Sequence, residues 1–200
     1  YELGINVRLN QEVKYIDNNK GEIEFSSGKK EYFDLIINCT YTDPLNGFND
    51  NKNPLKFEFC TLLLISSEEI KEHAITIMDG EFVSIYPWLS NLHSVSSVKY
   101  TPSIKSNNLL ELRKLIANRT YKDLQENATL IEEHMRSLLD FKYSLVGDFS
   151  TIKVKIKDDI GDQRIVKTFS EGKCLSVLQG KLDAVNIFLS DLTLRLEQLK

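Results

Sequence analysis

The sequence predicts a mixed α/β fold, in which two α/β end segments flank an α+β middle built on an antiparallel sheet. Three observations carry this expectation. Gly172 to Val185 (GKCLSVLQGKLDAV) runs from a β-type apolar stretch, Cys174, Leu175, Val177 and Leu178, through Gly180 into an amphipathic helical pattern. Phe33 to Ile37 is a continuous apolar run, the pattern of a parallel strand buried on both faces. Between these ends, long alternating strands and two helical stripes fill the region from Lys56 to Ile156. A middle inserted between two halves of another domain explains that order.

From the N-terminus, Ile5, Val7 and Leu9 alternate, as do Val13 with Tyr15 and Ile23 with Phe25, each reading as a half-buried strand. The turn-rich runs Asp17–Gly21 and Ser26–Gly28 predict hairpin connections. The polar loop Thr42 to Pro54 marks a boundary. Strands are then expected over Lys56–Ile65, Ala74–Met78, Phe82–Trp88 and His93–Tyr100, with Asp79-Gly80 as a hairpin signal. Leu109, Leu112 and Ile116 form one helical stripe; Leu124, Ala128, Ile131, Met135 and Leu138 form a second. Tyr143–Ile156 is a further long strand, and Arg164–Phe169 pairs with Lys173–Leu178. The closing helix places Leu182, Val185, Phe188 or Leu189, Leu192, Leu196 and Leu199 on one face. The expected domains are residues 1–48, 49–160 and 161–200, the first and last belonging together.

Composition excludes several classes. Hydrophobic content of 42% and charged content of 27% are those of a soluble globular protein. A net charge of −4 gives no support for nucleic-acid binding, which needs a concentrated basic surface. No apolar run approaches the roughly 18 residues of a membrane span. Cys39, Cys60 and Cys174 are widely spaced within apolar strand patterns, which predicts reduced, buried thiols in a cytoplasmic protein. His73, His93 and His134 lack ligand spacing, so no metal centre is expected. The sequons at Asn38, Asn118 and Asn127 are read as chance matches. The chain opens on Tyr1, in what looks like a strand in progress, and is expected to be a fragment lacking an N-terminal part.

Two segments carry the chemistry. A strand passing through one glycine into a helix brings backbone N–H groups, backed by the helix dipole, up to an anionic or electron-rich ligand. Gly180 sits at such a junction. Asp34-Leu35-Ile36-Ile37-Asn38-Cys39-Thr40 leaves a buried strand at small polar residues, and the carboxyl ends of strands are where open α/β sheets hold ligands.

Together these segments resemble the FAD-dependent oxidoreductases of the D-amino-acid oxidase superfamily, which includes glycine and sarcosine oxidases. The resemblance spans Gly4-Ile5-Asn6-Val7, Val13 and Leu35 to Thr40. It continues through Phe82-Val83-Ser84-Ile85-Tyr86-Pro87, Ser97-Val98-Lys99-Tyr100-Thr101, Arg164 and Gly180-Lys181-Leu182-Asp183. It implies a split, truncated, Rossmann-like FAD-binding domain with an inserted substrate domain, and FAD as cofactor. Two departures stand out: no GxGxxG spacing is present, and Tyr41 occupies the place of the usual glycine after Thr40.

The resemblance implies that Val13 lies near the adenine, and that Thr40 and Tyr41 lie near the phosphates or flavin. It implies that Gly180, Lys181 and Leu182 present N–H groups to the pyrimidine end of the isoalloxazine, where reduced flavin gathers negative charge. Lys181 reads equally as a solvated helix-start lysine. Arg164 suits a bidentate substrate-carboxylate contact or an exposed strand edge. Tyr86, Trp88 and Tyr100 are candidates to line a pocket for a small-molecule substrate, or for packing. His93 is an acid–base candidate or a solvated turn residue. Two alternatives stand beside the oxidoreductase: a non-catalytic α/β protein-interaction module, and a flavin-dependent nucleotide-sugar mutase-like enzyme.

Overall fold

The computed structural model describes residues 4–48, 54–78, 80–89, 91–157, 166–178 and 185–197. The chain divides into two compact units, Tyr1–Pro54 with Asp158–Lys200, and Leu55–Lys157. Among the described residues the fold is α+β, with three helices and mainly antiparallel sheets.

The first unit opens with an antiparallel meander, β1 (Val13–Asp17), β2 (Glu22–Phe25) and β3 (Lys30–Tyr32). Its first turn is closed by Gly21 N–H donating to the Asp17 carbonyl at 2.9 Å, and cross-strand ion pairs Lys14–Glu24 and Lys30–Glu22 both lie at 2.7 Å. The chain then enters β4 (Ile36–Asn38), which runs parallel to β12 (Cys174–Leu178) from the other end of the sequence. The opposite edge of β12 takes β11 (Lys167–Glu171) in antiparallel register. As the middle strand, β12 is buried at every residue, which explains its unbroken apolar pattern. Ile16, Ile36 and Cys174 form the local core, with Val13, Ile23, Phe33 and Phe48 packed against it. Burial pushes the Cys174 thiol up to about 11, so it stays protonated.

The expectations fail at four places in this unit. Residues 4–9 form no strand; Ile5, Val7 and Leu9 alternate but find no partner strand and are exposed. Alternation marks a two-faced segment, whereas a strand also needs a ladder to satisfy its backbone. β4 is buried on one face only, with Ile37 exposed, and Cys39 is exposed because it lies just past the last paired residue. In α3 (Val185–Glu197) the inward side is Phe188, Asp191 and Leu192, the carboxylate of Asp191 accepting from Thr168 Oγ1 at 2.7 Å. Val185, Leu189 and Leu196 of the expected stripe are exposed, while Leu182 and Leu199 lie outside the described residues.

The described residues of the second unit form a six-stranded sheet with two helices. β5 (Leu55–Ser66) is its axis, paired along its whole length with β10 (Ser144–Ile156). The other edge of β5 is shared. Its carboxyl half pairs with β8 (Leu92–Ser97) and its amino half with β9 (Pro102–Ser106), because the chain turns at 98–101 between them. β7 (Val83–Pro87) and β6 (Ile75–Thr76) complete the order β10-β5-β8-β7-β6. β9 was not expected; its leading proline tolerates the first position of a strand.

Helices α1 (Leu109–Ala117) and α2 (Tyr121–Leu138) are capped as their sequences dictate. Asn108 Oδ1 accepts from Glu111 N–H at 3.0 Å, and Thr120 with Asp123 forms a capping box. α2 packs on β5, β7 and β8, and α1 on β5 and β9. Leu63, Ile65, Val83, Ile85 and Val95 of the sheet form one buried cluster with Ile131 and Met135 of α2. Among the described residues no helix is long and apolar enough to cross a membrane.

Candidate functional site

In the first unit the candidate surface is the carboxyl end of β4. Asn38, the last strand residue, is buried and turns its amide along the chain. Its Oδ1 accepts from the Thr40 N–H at 3.0 Å and faces Thr40 Oγ1 at 2.8 Å, while its Nδ2 donates to the Asp43 carbonyl at 3.0 Å. Thr40 Oγ1 also reaches that carbonyl at 3.0 Å. Tyr41, between them, adopts φ +55°, the left-handed conformation that glycine reaches without cost. The tyrosine therefore stands in a glycine-type turn held by the buried amide of Asn38.

Asn46 extends the network to β1. Its Oδ1 accepts from Ile16 N–H at 2.9 Å, and its Nδ2 reaches Asp43 Oδ2 at 3.2 Å and the Lys14 carbonyl at 3.4 Å. The loop can approach β1 this closely because Gly47, at φ +79°, has no Cβ to strike the Ile16 carbonyl. Thr40 and Asp43 are thus tied through Asn46 to Lys14 and Ile16 of β1, with Val13 packed against the core of the unit. β12 runs parallel to β4 with Ser176 opposite Asn38, so the chain leaves Leu178 at the same sheet end as Thr40. Gly180, Lys181, Leu182 and Arg164 lie outside the described residues.

The second unit separates its four pocket candidates. Side chains alternate across a sheet, and Val83, Ile85 and Val95 mark the face that the helices cover. His93 shares that face. It is fully buried, and its Nε2 meets the Lys71 carbonyl. This corrects the turn reading: His93 is a core strand residue. Tyr100 also turns to the helices, half-buried against the same cluster, with its ring edge-on to His134 at 5.7 Å.

Tyr86 and Trp88 belong to the other side, opposite the face that α2 covers. Tyr86 shares it with Ser84, and its hydroxyl lies 3.0 Å from Thr76 Oγ1. The Trp88 ring lies 4.6 Å from that of Phe149, which sits opposite Leu62. Trp88 is 46% and Tyr86 49% exposed, large aromatic surfaces for residues on a sheet. Further along this side, buried Glu58 pairs with Lys155 at 2.9 Å.

Asn38, Asn46 and Phe149 were missed as site residues. A polar residue ending an apolar run was the available signal for Asn38. Phe149 becomes legible only with the β5–β10 register, which places it beside Leu62.

No protein-family model matches the chain. Over 163 residues it is 26% identical to FAD-dependent monooxygenase FPY4 of Fusarium mangiferae, a match covering 78% of this chain and 42% of that protein. The chain therefore spans less than half the length of this relative.

Exposed Thr40 and half-buried Tyr41 form a fixed wall at the carboxyl end of a parallel strand pair. Both donors of Thr40 are turned inward to Asn38 and Asp43, so this turn contributes shape and not a hydroxyl donor.

Proposed function

We propose that the chain is part of an FAD-dependent oxidoreductase. The observation that carries this reading is the similarity to the FAD-dependent monooxygenase, which extends over more than three quarters of the chain. Supporting it is the meeting of the two distant ends of the sequence in one parallel strand pair, with both chains leaving at the same end. Residues 1–48 and 161–200 are assigned to the FAD-binding domain, and residues 49–160 to the substrate domain. The finer assignment is to the D-amino-acid oxidase superfamily.

Val13 is assigned to the adenine end through its backbone, and Thr40 and Tyr41 to the wall beside the phosphates or flavin. Gly180, Lys181 and Leu182 are assigned as N–H donors to the pyrimidine end. When bound, FAD supplies a two-electron acceptor for a C–H beside an amine or hydroxyl. Tyr86 and Trp88 are assigned to the body of a small-molecule substrate. Orientation of the substrate C–H is then the main task left to side chains.

The relative's description as a monooxygenase favours a second reading, monooxygenation, which consumes an external two-electron donor as well as oxygen. The purified protein is expected to carry flavin absorbance or to acquire it on addition of FAD. Substrate-dependent peroxide release without an added reductant supports oxidation; oxygen incorporation that requires a reductant supports monooxygenation. Absence of both flavin absorbance and FAD binding refutes the proposal.

A further inference from the structure

We infer that Asn38 and Asn46 are positioning residues that set the cofactor affinity of the site from behind it. The inference rests on the flavin reading above and deepens it. Neither residue need touch FAD; each acts through the wall formed by Thr40, Tyr41 and Val13.

Three features make Asn38 more than a strand terminator. It is 3% exposed, so its amide has no water to fall back on, and its three contacts all go to residues 40 and 43. Those contacts bracket Tyr41, the residue held at φ +55°. A β-carbon disfavours that conformation, so the turn needs an outside hold that glycine would not need. Asn38 supplies it with both ends of one side chain, accepting from Thr40 and donating to Asp43.

Asn46 carries the hold to the other end of the wall. It grips Asp43 Oδ2 on one side and the backbone of Lys14 and Ile16 on the other. Lys14 follows Val13 directly. The chain Asn38–Asp43–Asn46–β1 therefore fixes the spacing between the Thr40–Tyr41 turn and the start of β1. A ligand that contacts both places is bound well only while that spacing is kept, since a preformed site avoids ordering costs on binding.

The test is FAD titration of the purified protein, followed by quenching of flavin fluorescence and by the visible spectrum of bound flavin, at a temperature well below each variant's unfolding midpoint. Asn38→Ala and Asn46→Ala are each expected to weaken FAD binding by about tenfold, the scale on which supporting residues act. Asn38→Asp keeps the acceptor for Thr40 but sets a buried carboxylate oxygen against the Asp43 carbonyl, so it is expected to weaken binding at least as far as Asn38→Ala. If Asn38→Ala does not fold, Asn46→Ala carries the measurement. Asn91→Ala, which removes only an exposed contact to Glu68 in the second unit, is expected to leave affinity unchanged.

A purely structural role is separated by a double-mutant cycle. In a Tyr41→Gly background the turn no longer needs an outside hold, so adding Asn38→Ala there is expected to cost several-fold less affinity than it costs in wild type, whatever the loss of the Tyr41 ring itself costs. The inference is overturned if wild type binds FAD and both asparagine variants bind it equally well with the same flavin spectrum. It is overturned too if Asn38→Ala costs as much affinity in the Tyr41→Gly background as in wild type. Failure of wild type itself to bind FAD removes the flavin reading, and this inference with it.

Discussion

His93 and Trp88 stand near the ends of one strand pair, and the face each occupies decides what each can do. Pro87 is opposite His93 in the β7–β8 ladder, so one residue further along the chain reverses the side. His93 is fully buried and holds the Lys71 carbonyl, in a segment where Lys71 itself sits at φ +39°. His93→Ala leaves a cavity and a buried carbonyl without its partner, a loss of about 3 kcal/mol. Trp88→Ala removes a half-exposed ring and its contact with Phe149, about 1 kcal/mol of stability. The kinetic expectation is reversed. Trp88→Ala lowers kcat/KM for the substrate by roughly tenfold, about 1.4 kcal/mol, mainly through KM. His93→Ala acts through the unfolding temperature and leaves kcat/KM of the remaining folded protein near wild type. Thermal unfolding and steady-state kinetics on both variants check this; an intact Tm with lost kcat in His93→Ala restores His93 as an acid–base candidate.

At the scale of elements, the N-terminal segment shows what alternation leaves out. Gly4 to Leu9 has the pattern of a strand, yet the described residues show it held by an ion pair. Arg8 grips Glu31 of β3 through both terminal guanidinium nitrogens, at 2.6 and 2.7 Å, and Lys29 adds a second cation at 2.6 Å. The Arg8 hydrogen bond, followed by that from Lys29, draws the Glu31 carboxyl down from 4.5 to about 2. Its folded pKa lies below its unfolded one, so the tether contributes fully above about pH 4.5 and is lost as pH falls towards about 2. The difference in unfolding temperature between wild type and Glu31→Gln is therefore expected to be constant near neutrality and to vanish towards pH 2. High salt shrinks it throughout, because the pair is solvent-exposed. A difference that grows on acidification contradicts the sign.

The same contrast governs how much of the fold was legible. β5, β10 and the stripe of α2 were readable because long repeats of period two or 3.6 report burial directly. β9 was hidden by a proline and by a partner, β5, some forty residues away. The exposure of Cys39 and the left-handed Tyr41 depend on where pairing stops and on a buried amide behind the turn. Neither leaves a periodic trace. Of the candidate site, the strand end at Thr40 was visible, whereas the division of Tyr86 and Trp88 from His93 and Tyr100 required the sheet's two faces. That division follows from which side α2 covers, a tertiary choice that no local pattern encodes.

At the scale of the whole molecule, the two units differ in how they close. The first draws residues 36–38 against 174–176, so its sheet cannot form until most of the chain is present. The second is continuous from Leu55 to Lys157, with a core of Leu63, Ile65, Ile85, Val95, Ile131 and Met135 drawn from within that span. About a hundred residues with a core of their own fall in the range that folds alone and in two states. Residues 54–157 expressed as a separate polypeptide are therefore expected to unfold in one cooperative thermal transition, seen alike by far-UV and near-UV circular dichroism. Ile131→Ala, at a fully buried position under the sheet, is expected to cost about 3 kcal/mol and to lower that midpoint by roughly 15 °C. A polypeptide covering residues 1–54 alone lacks the β12 partner of β4 and is expected to show no such transition. If the excised second unit melts without cooperativity, or its midpoint ignores Ile131→Ala, then the core assigned to it is not what holds it together.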